Sequence, residues 1–244
     1  MFRKKETTFY CFSPPVMLAT FFVEIALIVY TLWRYKLTNI TRLIVAILGF
    51  LAFFQLAEYM VCGGMGVSGD NWARSGFVAI TMLPPLGIHL ANEIAGKRHR
   101  KLVWFAYGLS ALFVGFFLVV TNSIEHKVCG GNYIIFNLTQ NINWLYATYY
   151  YGLLVTGVAY CWTQANRTKK ANVAKALRFL AAGYVLFMGP TITVNLLDPA
   201  TISGIPSIMC GFAVVLAFTT VFFVAPNMID FRKKQTKLRE KARL

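Results

Sequence analysis

Four ionisable side chains, Glu24, Glu58, His89 and Glu93, lie inside long apolar stretches of this sequence. A charged group at the centre of a bilayer costs about 2.5–3.5 kcal/mol or more, so each such residue is a candidate for function. Spacing gathers the polar residues into helical faces. Gln55, Glu58 and Cys62 fall at i, i+3 and i+7 of one stripe. Thr81, Pro85, His89, Asn92 and Glu93 form a second, and Tyr149, Thr156, Tyr160 and Thr163 a third. Pro190 frees a backbone carbonyl one turn earlier, and Thr191 and Asn195 follow on one face. Helix rise puts Glu24 ~12 Å, Gln55 ~9 Å and Glu58 ~5 Å from the outer ends of their stretches. His89 falls ~20 Å in, within the inner third.

Glu24, Gln55, Glu58, Thr81, Tyr149, Tyr150, Thr191 and Asn195 are therefore expected to line a cavity in the outer half of a bundle. Three chemistries suit it. A carboxylate would anchor a small ligand that is cationic or donates hydrogen bonds. A neutral Glu58 would instead bond Gln55 or a tyrosine and act as interhelical glue, with Arg74 as the nearest cation. A proton or ion path would use Glu24 and Glu58. His89, Asn92 and Glu93 make a second polar cluster near the inner interface, too poor in ligands for a metal. No CxxC, CxxCH or His-x₃-His pattern occurs, and no nucleophile–base pair is evident. The expectation is no enzyme, no cofactor and no metal.

Two of the five cysteines share a Cys-Gly-Gly string, Cys62-Gly63-Gly64 and Cys129-Gly130-Gly131. Both are expected at the outer face, where an oxidising compartment permits a Cys62–Cys129 bridge; free half-buried thiols are the alternative. Asn137-Leu138-Thr139 is a glycosylation sequon on the same side, meaningful only in a eukaryotic secretory protein.

The elements that must position these groups are helices. The chain is 57% hydrophobic and 14% charged, which excludes an ordinary soluble enzyme, a disordered chain and a disulfide scaffold. Seven apolar blocks can be marked: 14–33, 43–61, 76–95, 102–121, 143–163, 177–197 and 205–224. Each is long enough to cross a hydrocarbon core of ~30 Å as a helix. The fourth has few polar groups and is expected to face lipid most. The fold class is all-α, a polytopic seven-transmembrane bundle over residues 1–244 with a basic tail at 225–244. Nineteen of the 24 Lys and Arg lie in the joins after blocks one, three and five, at the very start of block six (Arg178) and in the tail. Basic loops stay cytoplasmic, so the N-terminus is placed outside and the C-terminus inside. Arg3-Lys4-Lys5 dissents, and no cleavable signal peptide is expected. The charge of +15 sits where anionic headgroups are, so lipid rather than nucleic acid is its partner. Trp33, Trp104, Trp144, Trp162 and the tyrosines at 146 and 149–151 look like interfacial belts.

Seven spans with a bridge near the second outer loop resemble the general layout of seven-transmembrane receptors. No lysine lies in the last block, so an opsin is excluded. More narrowly, Asn71-Trp72, the run Thr81-Met82-Leu83-Pro84-Pro85-Leu86-Gly87-Ile88-His89-Leu90 and Gly96-Lys97-Arg98 resemble the N-terminal seven-helix sensor region of bacterial histidine kinases. That resemblance covers about thirty residues and implies a sensor. No kinase or cyclase sequence follows the seventh block here, so signalling would run through a protein partner. The expected function is a stand-alone sensor or receptor-like module in a plasma or bacterial inner membrane. It would bind an unidentified small ligand in its outer half, with hinges at Pro84-Pro85 and Pro190. The alternatives are an accessory subunit of a membrane complex and a small transporter or proton carrier.

Overall fold

Apolar blocks of this length satisfy their backbone internally only as helices, and the structure is built of them. In the computed structural model, α1 spans Pro14–Arg34, α2 Asn39–Gly63, α3 Gly69–Thr81 and α4 Leu83–Ala95. After α5 (Arg100–Val119) come two short strands, then α6 (Asn143–Arg167) and α7 (Ala171–Leu197). The last apolar block is broken into α8 (Ile205–Gly211), α9 (Ala213–Phe218), a π-helical turn (Thr219–Val224) and α10 (Ala225–Met228). The structure describes residues 14–63, 69–96, 99–121, 123–129, 134–139, 142–197 and 204–229. Arg3–Lys5, Cys11, Lys97, Arg98 and the tail from 230 lie outside them, as do the side chains of Lys127 and Asn137.

α1, α2, α3 with α4, α5 and α7 are five helical runs long and apolar enough to cross a membrane. The last block makes a sixth if its two parts, bent by 46°, form one span. The chain is thus an integral membrane protein of helices. α6 has 25 residues but carries Asn, Gln, Thr and Tyr along its length and stays below the same measure of apolarity.

The run α3–α4 is the centre of the bundle, with 78% of its apolar window buried, against 22% for α1 and for α5. The expected lipid-facing fourth span therefore shares that role with the first. α2 packs on α1, α3 and α4, and α6 packs on α4 and α7. The turns after α1, α4 and α6 gather at one end with the end of the last block, as the hydrogen bonds Tyr160 Oη to Asn92 Oδ1 (3.1 Å), Asn172 Nδ2 to Asn227 O (3.2 Å) and Tyr35 Oη to Val221 O (3.0 Å) show. This is called the basic end, for its Arg and Lys.

At the opposite end the chain forms a hairpin that its sequence did not announce. β1 (Ile124–Cys129) pairs antiparallel with β2 (Ile134–Leu138), with an irregular step between Ile124 and His126. A disulfide joins Cys129 to Cys62 at the end of α2. The Asn143 Oδ1 atom accepts the Leu138 N–H at 3.3 Å, tying β2 to the start of α6.

Prolines shape the backbone, and hydroxyls repair it. Pro84 and Pro85 open α4 instead of kinking a continuous helix. Pro85 has no N–H for the Thr81 carbonyl, which instead accepts from Tyr149 Oη at 2.6 Å and Ser110 Oγ at 3.0 Å. In the last block, Ala225 N–H bonds Thr220 O, one residue beyond the α-helical partner. Val221 O would then need the N–H of residue 226, which is proline. Tyr35 Oη donates to Val221 O instead, at 3.0 Å. Pro190, expected as a hinge, sits inside an unbroken α7.

Candidate functional site

The eight residues expected to share one outer cavity separate into distinct groups. The first is an acidic centre on α1, α2 and α8. Glu24 is 0% exposed and Glu58 2%. Both carboxyl oxygens of Glu24, and Oε1 of Glu58, have no hydrogen-bond partner. Glu58 bonds the side chain of Ser207, and the Cys210 thiol lies within electrostatic reach of both carboxyls. Gln55 Nε2 donates to Cys210 O at 2.7 Å, beside the break between α8 and α9. Glu58 and Gln55 thus both hold α8. The expected partner Arg74 is engaged elsewhere: its Nε and Nη2 donate to Phe117 O (2.8 Å) and Leu118 O (2.6 Å), capping α5.

The second group is a closed knot of hydroxyls and rings. Thr81 Oγ1 donates to Phe77 O at 2.6 Å and lies 3.0 Å from Tyr146 Oη. Tyr149 Oη takes Thr81 O as described. Tyr146, Tyr149 and Tyr150 are buried, not interfacial, which corrects the belt expectation for them. Their rings pack at 4.6–5.6 Å on Phe113 (Tyr149 and Tyr146), Phe117 and Phe77 (Tyr146), and the tyrosine hydroxyls at 146 and 149 find partners inside, so burial leaves neither polar tip stranded. Trp33, Trp104, Trp144 and Trp162 are exposed, as an interfacial belt requires. Thr156 and Thr163 of the expected third stripe bond carbonyls of their own helix.

Between this knot and α8 lies a small apolar crevice of about 50 Å³. Its walls are Phe77 and Ile80 of α3, Phe136 and Leu138 of β2, Tyr146, Ala147, Tyr150 and Tyr151 of α6, and Ile205, Pro206 and Met209 of α8. The buried Tyr151 hydroxyl has no partner. Thr191 and Asn195 are not among the residues lining this crevice. Thr191 is buried with its Oγ1 unpartnered, and Asn195 is half exposed near the end of α7.

The second polar cluster lies at the basic end. His89 Nδ1 is 3.1 Å from Tyr107 Oη, and His89 Nε2 is 3.9 Å from Glu93 Oε1. Asn92 Oδ1 accepts from the His99 N–H and from Tyr160 Oη, both at 3.1 Å. Among the described residues no group of three metal-ligating side chains occurs. Tyr35, just outside α1, is buried at the same end, and burial pushes its phenol up to about 12.

Sequence reasoning missed Ser207, Cys210 as a carbonyl acceptor, Tyr35, Tyr107 and the hairpin residues. Pro206 and Pro226 were the available signals for an irregular last block. Compared with known proteins, the chain matches no family model and no curated protein.

Proposed function

We propose that this chain is a seven-span sensor whose last span carries a signal from the hairpin end to the basic end. The supporting observation is that one seven-residue helix, α8, serves two sites. Its Ile205, Pro206 and Met209 wall the crevice, while its Ser207 and Cys210 hold Glu58 and Gln55. A cavity of ~150 Å³ accepts benzene. At about 50 Å³, the crevice admits a ring only by displacing a wall. α8 is short and adjoins the 46° break, so it is the wall that yields. The ligand class is a small molecule with an apolar body and a cationic or donating group directed at Glu58. In this reading α6 also spans and brings the count to seven, the N-terminus is outside, and the basic end meets the cytoplasm of a plasma or bacterial inner membrane. A protein partner there reads the shift.

The test uses benzylamine and benzyl alcohol as probes on the purified, disulfide-intact protein. Both should raise the melting temperature, benzylamine more, and Ala147→Phe, which fills the crevice, should abolish the rise. No rise in the wild type, or an equal rise in Ala147→Phe, removes the crevice from the account and favours an accessory subunit.

A further inference from the structure

At the basic end, far from the crevice, a cleft of about 660 Å³ opens between the last turns of α4 and the first turns of α5. That is within the ~300–1,000 Å³ of small-molecule sites. His89, Asn92 and Glu93 of α4 form one wall, and Arg100, Trp104 and Tyr107 of α5 the other. The lining carries both signs of charge. The Glu93 carboxyl is about one-third exposed, and the His89 imidazole on the same helix lies 3.9 Å from its Oε1, beyond hydrogen-bond length. Among the described residues no ion pair occupies Arg100. The Tyr107 hydroxyl and the Asn92 carbonyl hold His89 and the start of α5 in place, so the cleft is braced on both walls.

Val103 and Trp104 give the α5 wall of the cleft an apolar strip. Trp104 is 74% exposed on α5, a helix that leaves most of its apolar surface uncovered. A ligand that enters here therefore has its polar end between Glu93 and Arg100 and its apolar body along α5. Indole rings sit at headgroup depth. A simple anion is a poor fit, because Glu93 would repel it. An ammonium alone leaves Arg100 unused.

We propose that this cleft binds the headgroup of a zwitterionic aminophospholipid, its phosphate on Arg100 and its primary ammonium on Glu93. A charge-assisted hydrogen bond is worth ~1.5–3 kcal/mol, and 1.4 kcal/mol is tenfold in affinity. The primary amine matters because it donates to Glu93, which a quaternary choline cannot do.

The test is native mass spectrometry of the full chain released from mixed nanodiscs holding equal parts phosphatidylethanolamine, phosphatidylcholine and phosphatidylglycerol. Phosphatidylethanolamine should be retained about tenfold over each of the others. Glu93→Gln should abolish that preference over phosphatidylglycerol, and Arg100→Gln should reduce retention of all three. Circular dichroism checks that both variants fold, and Lys101→Gln, outside the lining, should keep the wild-type ratio. Equal retention of the three lipids by the wild type, or an unchanged ratio in Glu93→Gln, overturns the proposal. So does displacement of the retained lipid by soluble phosphoethanolamine at millimolar concentration, which would assign the cleft to a free metabolite.

Discussion

The hydroxyl of Tyr35, at the turn between α1 and α2, donates to the carbonyl of Val221 in the last span, 3.0 Å away. The bond meets a need created by sequence. The π turn gives the Ala225 N–H to Thr220, and Pro226 has none to offer Val221. A buried carbonyl left without a donor costs about 1–3 kcal/mol.

Tyr35→Phe should therefore destabilise the bundle by about 1–3 kcal/mol in reversible denaturation in detergent. Pro226→Ala restores a backbone donor, so in that background the same substitution should cost under about 1 kcal/mol. An equal cost in both backgrounds would mean that the Tyr35 hydroxyl acts independently of the Val221 carbonyl.

Gly87 is required by a neighbour, not by its own backbone. A Cβ there would overlap the hydroxyl of Tyr184 on α7, which is buried. Gly87→Ala should destabilise by about 1–3 kcal/mol, the ordinary cost of overpacking. Tyr184→Phe removes the overlapping oxygen but keeps the ring carbon at 2.6 Å, so it should recover part of that loss. A Gly87→Ala protein with wild-type thermal stability would show that α4 and α7 do not approach this closely.

Glu58→Gln keeps a hydrogen-bonding group for Ser207, so the melting temperature should stay close to wild type. Benzylamine binding should weaken by about 1.5–3 kcal/mol, the worth of a charge-assisted bond. Glu58→Leu, which removes the Glu58 hydrogen bond to the buried Ser207 side chain, should also lose about 1–3 kcal/mol of stability. Unchanged benzylamine affinity in Glu58→Gln would make Glu58 a structural residue.

Orientation is checked by labelling single cysteines in intact cells, in a Cys11→Ser background. Ser123, at the hairpin end, is buried and a poor reporter; Thr121 near it is exposed. Thr121→Cys should label from outside and Lys170→Cys only after permeabilisation. The reverse pattern would place the basic end outside.

The helices were legible because apolar length and periodicity report burial directly, and each of the seven blocks overlaps a helical run, although α3 and α7 begin seven and six residues before their blocks. The disulfide partners Cys62 and Cys129 could be matched by side and by flanking glycines. The site was less legible. Thr81 and His89 share a helical stripe in sequence, yet the break at Met82 and a distance of two turns send one to the hydroxyl knot and the other to the basic-end cleft. Tyr146 and Tyr149 read as interfacial because hydropathy cannot see that Thr81 offers them partners. Gln55 and Glu58 face α8 rather than each other, since the carbonyl at the α8 break and the Ser207 hydroxyl are nearer needs than a same-helix pair. Such pairings depend on which helices meet, and periodicity is silent on that.

The central claim is that displacing α8 at the crevice is felt at the far end of the last span. Hydrogen exchange in nanodiscs, comparing wild type with Ala147→Phe, tests it most directly. The account predicts faster exchange in 205–211 and again in 219–229, where Tyr35 holds Val221, with α1 and α5 unchanged. Faster exchange confined to α6, β2 and α8, with 219–229 as protected as in the wild type, would contradict it.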